Sequence, residues 1–401
     1  MSSSTKTPRE QAHRLSRRTL LGALPLLVAG RTFAAPTPSS RALVTVFLRG
    51  GVDGLAMAPP LKDPALASLR GALTVRGVPL DSGFSLHPAM APLLPYFKDK
   101  RLAVLHAVGQ ARPSRSHFDA QDFLESGTPG QKQGDGYLNR ALGGLDGARP
   151  PFQAVALQNA LPMSLAGETP ALAFPALKDF KVAGGSAAHT TFEALYDTAL
   201  DEALRTSGHD AFESISFVRD QGLATQEPRN GATYPNSPLG KRLKDLARLL
   251  HAEVGLRVGV TEAGGFDTHL AQGGDEGQLA NRLKDLGACL AAFAQDLGPR
   301  LDDVTVLTVT EFGRTAKENG TRGTDHGTAS AMFVLGGGVR GGRVFADWPG
   351  LSPSALFEGR DLAVTTDVRQ VLTEAIERAL GPGLATAAFP GFTPRALGLF
   401  G

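Results

Sequence analysis

Ala42-Leu43-Val44-Thr45-Val46-Phe47-Leu48 runs straight into Arg49-Gly50-Gly51-Val52-Asp53-Gly54-Leu55. Seven apolar or β-branched residues in a row, apolar on both faces, predict a strand buried on both sides. The polar stretch that follows carries two glycines and a carboxylate. Open α/β sheets bind their ligands outside the carboxyl ends of their strands, so this is where a functional residue would sit. Asp and Gly also simply favour turns, so the segment gains weight only if other strands end the same way.

They do. Further strand-like runs lie at 102–108, 152–157, 256–261, 304–310 and 332–335, rich in Val, Leu and Thr. The second is followed by Gly109-Gln110-Ala111-Arg112-Pro113-Ser114-Arg115-Ser116-His117-Phe118. The fourth leads to Gly264-Gly265-Phe266-Asp267-Thr268-His269, and the fifth to Glu311-Phe312-Gly313-Arg314. Gly323-Thr324-Asp325-His326-Gly327-Thr328 stands just before the sixth. Glycines beside these groups let backbone approach closely. Helix-like stretches alternate with the strands at 116–125, 191–205, 237–253, 278–297 and 368–380, with Asp367 placed to cap the last. The alternation predicts an α/β fold, a three-layer, doubly wound and mostly parallel sheet covered on both faces. No internal repeat is present. Residues 36–401 read as one domain, with long Gly/Pro-rich excursions at about 110–190.

Several carboxylates converging on one crevice repel each other, and a bound cation relieves this. Imidazoles mixed with carboxylates suit a divalent ion such as Zn or Mn, one or two per chain, better than Mg or Ca. The candidate ligands are Asp53, Asp267, His269, Glu311, Asp325 and His326, with Asp325 equally placed to support a ligand. His87 and His106 read as structural, and His189, His209 and His251 have no partner at ligand spacing. Each group also has a plainer reading. Asp267 and His269 could cap a helix, Ser114 could be an N-cap, and Glu311 could pair with Arg314 at the surface.

The chain has 401 residues, of which 42% are hydrophobic and 20% charged, with one cysteine, Cys289. That excludes an internal disulfide, a Cys-ligated zinc site and an iron–sulfur cluster. Residues 1–35 read as an export signal. Ser16-Arg17-Arg18-Thr19-Leu20-Leu21 precedes a short apolar run, and Thr32-Phe33-Ala34-Ala35-Pro36 offers small residues for cleavage. Paired arginines before a mildly apolar run resemble a twin-arginine signal, so the twin-arginine export machinery is the expected first partner. The expected destination is the periplasm or the exterior, with no stable transmembrane anchor, because the run is too short to span a membrane. Cleavage after Ala34 removes six basic residues and one acid from a chain of formal charge +2. It leaves 35 basic against 38 acidic residues, a net of −3. Nucleic acid is therefore not the expected partner.

Taken together, the blocks resemble a widespread family of exported bacterial proteins classed as a domain of unknown function. The resemblance rests on Leu48-Arg49-Gly50-Gly51-Val52-Asp53-Gly54-Leu55, Pro113-Ser114-Arg115-Ser116-His117-Phe118, Gly264-Gly265-Phe266-Asp267-Thr268-His269, Glu311-Phe312-Gly313-Arg314 and Gly323 to Thr328, running on to Phe333-Val334-Leu335-Gly336-Gly337-Gly338. It covers nearly the whole mature chain. The fold it implies is similar to that of alkaline phosphatases, sulfatases and cofactor-independent phosphoglycerate mutases. It implies metal ligands at Asp53, Asp267, His269 and His326, a nucleophile within 111–116, and Glu311-Phe312 where that superfamily carries an Asp-His pair.

The chain departs from the superfamily at three points. Phe312 cannot bind a metal, Asp267 and His269 are unusually close in sequence, and Ala111 replaces the modified cysteine of a sulfatase signature. Ser114 and Ser116 remain as nucleophile candidates at a helix start, where backbone N–H groups favour an anion. His117 is the candidate base, with Arg115 beside it. Arg49, Arg115 and Arg314 are candidates to hold the substrate anion. Two functions follow. The first is an exported metal-dependent hydrolase of phosphate or related anionic esters, acting on an anionic small molecule. The second is a non-catalytic binding or assembly protein of the cell envelope, recognising a protein or an envelope polymer. A redox role is weaker, since no Gly-x-Gly-x-x-Gly follows the first strand.

Overall fold

A computed structural model describes residues 41–147, 149–180 and 213–401. The signal at 1–35, the helix expected at 191–205, His189 and His209 lie outside the described residues.

Among the described residues eleven strands follow in chain order: β1 (Ala42–Leu48), β2 (Val78–Pro79), β3 (Ser85–Leu86), β4 (Leu102–Gly109), β5 (Ala154–Leu157), β6 (Leu172–Phe174), β7 (Val258–Ala263), β8 (Val304–Val309), β9 (Ser330–Gly336), β10 (Val344–Phe345) and β11 (Thr366–Asp367). β2 and β3 form a small antiparallel pair. The rest make one sheet in the order β10-β4-β9-β8-β1-β7-β5-β6, with β11 also beside β4. β1 is central, parallel to β7 on one side and to β8 on the other. β9 runs against both β8 and β4.

Alternation along the strands divides the core into two layers. Ala42, Val44, Val46 and Leu48 point to one side, with Leu102 and Val104 of β4 and Phe333 and Leu335 of β9. The helices Pro238–His251 and Gln278–Leu297 cover that side. Leu43, Phe47, Ala103, Leu105, Met332 and Val334 point to the other, under Val368–Ala379 and Tyr137–Gly143. This is the expected mostly parallel sheet with helices on both faces. The Asp367 side chain caps Val368–Ala379 through the Arg369 N–H at 2.9 Å. Among the described residues no helix is long and apolar enough to cross a membrane.

Two expectations change. The helix expected at 116–125 is present as His117–Ser126, and the stretch read as an excursion also carries the helix Tyr137–Gly143 and the strand β6. β6, β10 and β11 are two or three residues long, too short for alternation to reveal them.

His106 is a core residue, as expected. It is fully buried on β4; its Nε2 donates to the Gly54 carbonyl at 3.1 Å, and its Nδ1 accepts from the Ala107 N–H. Burial pushes its pKa down to about 4. The unfolded chain therefore binds a proton there below about pH 6.5 that the folded chain refuses until about pH 4. Stability is full above the first value and falls as pH drops toward the second, by about 3 kcal/mol. Urea midpoints measured across this window should decline less steeply in His106→Gln than in the parent.

Candidate metal centre

The central position of β1 brings the loops after β1, β7 and β8 together. Because β9 is antiparallel, the loop from β8 both leaves and re-enters the sheet at this same edge. Asp325 and His326, which precede β9, therefore face the residues that follow the other strands. Gln110, after β4, ties its loop in through Nε2, which donates to the Ala120 and Glu311 carbonyls at 2.8 and 2.9 Å. Gly50 and Gly51 have positive φ. A Cβ on Gly50 would meet the Asp267 N at 2.5 Å, and one on Gly51 would meet the Phe312 ring at 2.5 Å. Only glycine lets these two loops close on β1.

Three imidazoles and one carboxylate converge there. Ligand atoms of His117, Asp267 and His326 lie within 4.8 Å of one another. His269 Nε2 is 2.9 Å from His326 Nε2 and 3.0 Å from Asp267 Oδ1. His326 Nε2 is 3.2 Å from Asp267 Oδ1, and His117 Nε2 is 3.5 Å from Asp267 Oδ2.

The outer partners fix the tautomers. His117 Nδ1 donates to Glu311 Oε1 at 2.8 Å, His269 Nδ1 to Asp325 Oδ1 at 3.0 Å, and His326 Nδ1 to the Arg115 carbonyl at 2.7 Å. Each of these acceptors can only accept, so the single proton of each neutral ring sits on Nδ1. All three Nε2 atoms then point inward as bare lone pairs. His117 Nε2 is buried with no hydrogen-bond partner. Lone pairs facing each other need a proton or a cation between them. Burial lowers the pKa of His326, and Arg314 and His117 push the same way, against the Arg115 carbonyl and Asp267. A cation fits better than a proton. Donors at 2.0–2.2 Å from one tetrahedral ion stand roughly 3.3–3.6 Å apart, close to the 3.2 and 3.5 Å that separate Asp267 from His326 and from His117.

Asp267 is held as an anion. Burial alone would raise its pKa, but the hydrogen bond and charge of Arg314 take it below the ordinary carboxylate range. Arg314 Nη1 donates to Asp267 Oδ1 at 2.7 Å, while its Nε donates to Thr324 Oγ1 at 3.1 Å. Hydrogen bonding to His269 is the main cause that lowers Asp325. Phe312 packs its ring 4.8 Å from those of His117 and His326 and forms an apolar wall.

The remaining expected residues stand apart from the four inward donors. Asp53 is buried, and Oδ1 accepts from the N–H groups of Leu55 and Ala56 at 3.1 and 3.3 Å. Oδ2 accepts from Gln272 Nε2 at 2.7 Å and pairs with the Arg70 guanidinium. Both oxygens of Asp53 are thus already engaged. Glu311 is also buried and faces the outer side of His117, accepting from Gly50 N at 2.9 Å and Gln121 Nε2 at 3.0 Å. It does not pair with Arg314 at the surface. Arg49 binds Glu262, Gln121 and Glu125. The Arg115 guanidinium binds Asp361 and Glu358. Ser116 caps His117–Ser126 by accepting from Asp119 N at 3.4 Å, and Ser114 Oγ accepts from Ser116 N at 3.2 Å.

Sequence reasoning passed over Arg70, Gln121 and Gln272. Gln272 is fully buried and joins Asp53 to Thr268 and Thr324, whose hydroxyls donate to its Oε1 at 2.7 Å each. A chain of hydrogen bonds thus runs from Arg70 through Asp53, Gln272, Thr324 and Arg314 to Asp267. The only sequence signal for it is a glutamine inside a glycine-rich loop.

No curated protein matches the chain. Among solved structures it is similar to the C-terminal periplasmic domain of EcEptC from Escherichia coli, in complex with Zn. The identity is 11%, the coverage is 78% of this chain and 77% of that one, and the TM-score is 0.35. The family described as protein of unknown function (DUF1501) matches residues 80–382, which include all four converging donors, and the chain belongs to that family.

Proposed function

We propose that the protein is an exported, metal-dependent hydrolase of phosphate or related anionic esters. One divalent ion, zinc or manganese, would be held by His117 Nε2, His269 Nε2, His326 Nε2 and Asp267. The observation that carries this reading is the set of three inward lone pairs, each fixed by an outward Nδ1–H bond. When bound, such an ion polarises an ester and lowers the pKa of water. The chain's own residues keep the site in order. Glu311 and Asp325 hold two rings in the ligating tautomer, Arg314 keeps Asp267 ionised, and Phe312 excludes water from one side. Arg17-Arg18 supports twin-arginine export.

Outer carboxylates of this kind typically contribute ten- to a hundredfold to metal affinity. Glu311→Gln keeps the volume but loses the charge that favours Nδ1–H on His117. Competition with a chelator should therefore find zinc bound about tenfold or more weakly.

A second reading is a non-catalytic envelope protein on the same fold. It draws on Ser114 and Ser116, since among the described residues neither hydroxyl is hydrogen-bonded to an imidazole. The deciding experiment is elemental analysis of mature protein exported natively and purified without chelators, followed by a panel of phosphate monoesters, diesters and sulfate esters. One ion per chain with turnover supports the hydrolase. An ion without turnover on any ester favours the binding protein. A metal-free chain that ignores added zinc and manganese sinks the metal reading.

A further inference from the structure

Two of the three rings have a carboxylate directly behind them, Glu311 for His117 and Asp325 for His269. The third, His326, has only a peptide carbonyl, that of Arg115. A carbonyl holds a ring only as firmly as its own segment is held. Residues 111–115 lie between β4 and the helix His117–Ser126, and among the described residues none of them makes a backbone-to-backbone hydrogen bond. The Arg115 side chain ties this segment down. Its Nε and Nη2 both donate to Asp361 Oδ2, at 2.8 and 2.6 Å.

Asp361 is itself fixed. Its carboxylate is fully buried, and backbone bonds stitch its two neighbours to the chain on either side of His326. Ala316 N donates to the Arg360 carbonyl at 3.1 Å, and Ala329 N to the Leu362 carbonyl at 3.3 Å. A second guanidinium repeats the plan. Arg360 Nη1 pairs with Asp361 Oδ1 at 3.4 Å, while its Nη2 donates to the His326 carbonyl at 2.9 Å. One buried carboxylate thus reaches His326 twice, at the ring through Arg115 and at the backbone through Arg360.

We propose that Asp361 is the positioning residue of His326. It does for the third ring, through Arg115, what Glu311 and Asp325 do directly for the other two. The purpose of that positioning, a bare Nε2 for the ion, rests on the metal-dependent reading above. The Arg115 guanidinium is then an anchor and not a substrate holder, because it is committed to Asp361 and Glu358.

The test uses the full mature chain with isotopically labelled histidine at about pH 8, well above the ordinary imidazole pKa. Two-bond proton–nitrogen correlations give the tautomer of each ring, with or without zinc, and single His→Gln variants assign the signals. In the parent, Nδ1 should carry the proton in all three rings, since the partner of one ring nitrogen sets the tautomer. Asp361→Asn and Arg115→Met cut the same link from its two ends. In each, the two nitrogen shifts of His326 should converge while His117 and His269 keep theirs. Zinc should bind either variant about tenfold more weakly, the lower end of what such outer partners contribute. The double variant should bind it no more weakly than the weaker single, because both changes remove one interaction. Three rings that change together would show a general structural role, and a His326 that keeps Nδ1–H in both variants would show a carbonyl held without Asp361. Either result overturns the proposal. A parent that takes up no zinc overturns the metal reading alone, and the tautomers still decide the role of Asp361. The Arg115 side chain is one-third exposed, so its variant carries the test if Asp361→Asn does not fold.

Discussion

His326→Ala should release the ion while leaving the fold in place. Structural zinc sites with four ligands contribute apparent free energies of about 10–16 kcal/mol, or roughly 3 kcal/mol per ligand. Loss of one imidazole should therefore weaken zinc binding about a hundredfold or more. The effect on folding should be smaller, because His326 is only partly buried and its neighbours remain anchored. Arg314 keeps both Asp267 and Thr324, and His269 keeps Asp325. Metal content after gel filtration, read beside the urea midpoint, checks this. A variant that retains stoichiometric zinc would remove His326 from the ligand set. The same measurement on His117→Ala distinguishes a ligand from a base, since a base can be lost with the ion still bound.

Asp53→Ala should have the opposite signature. The Arg70 guanidinium is 2% exposed, and among the described residues its one partner besides Asp53 is the Thr315 carbonyl at 3.4 Å. Removing one partner of a buried ion pair leaves an uncompensated charge, at a cost of about 3–5 kcal/mol. The lost N-cap of Gly54–Met57 adds about 1 kcal/mol. For a protein of ordinary stability this is a large share of the total, so the urea midpoint should fall steeply. Asp53→Leu with Arg70→Met should recover much of the loss, because an apolar pair of similar volume has no charge to satisfy. Zinc should still bind the folded fraction of either variant. Loss of zinc from a folded Asp53→Ala protein would instead return Asp53 to the ligands.

Six of the strands, β1, β4, β5, β7, β8 and β9, were legible because a strand buried on both faces writes itself as an unbroken apolar run. The helices Pro238–His251, Gln278–Leu297 and Val368–Ala379 were legible from their spacing. The meeting of the loops was legible too, since adjacent strand ends must share an edge. The antiparallel direction of β9 was not, although it alone puts Asp325 and His326 at that edge. Nor was the division of labour within the cluster. A carboxylate after a strand looks the same in sequence whether its oxygens are free, like one face of Asp267, or already taken, as in Asp53 by Arg70 and Gln272. His117 stood out as a base because a lone histidine after a helix cap carries no ligand spacing. Its partner Glu311 lies 194 positions away, and only the fold reveals the pair.

The three loops that supply the donors lie far apart in the chain, and the sheet must close before they meet. The nascent chain therefore has nothing with which to choose a metal, and the folded one chooses only from what surrounds it at that moment. Divalent ions bind sites of this kind in an order of intrinsic affinity that does not favour zinc or manganese over copper. If export carries the chain across already folded, as Arg17-Arg18 suggests, the identity of an ion held at the proposed site would be settled by the metal supply of the compartment of synthesis. The compartment where the protein works would then have no say in it.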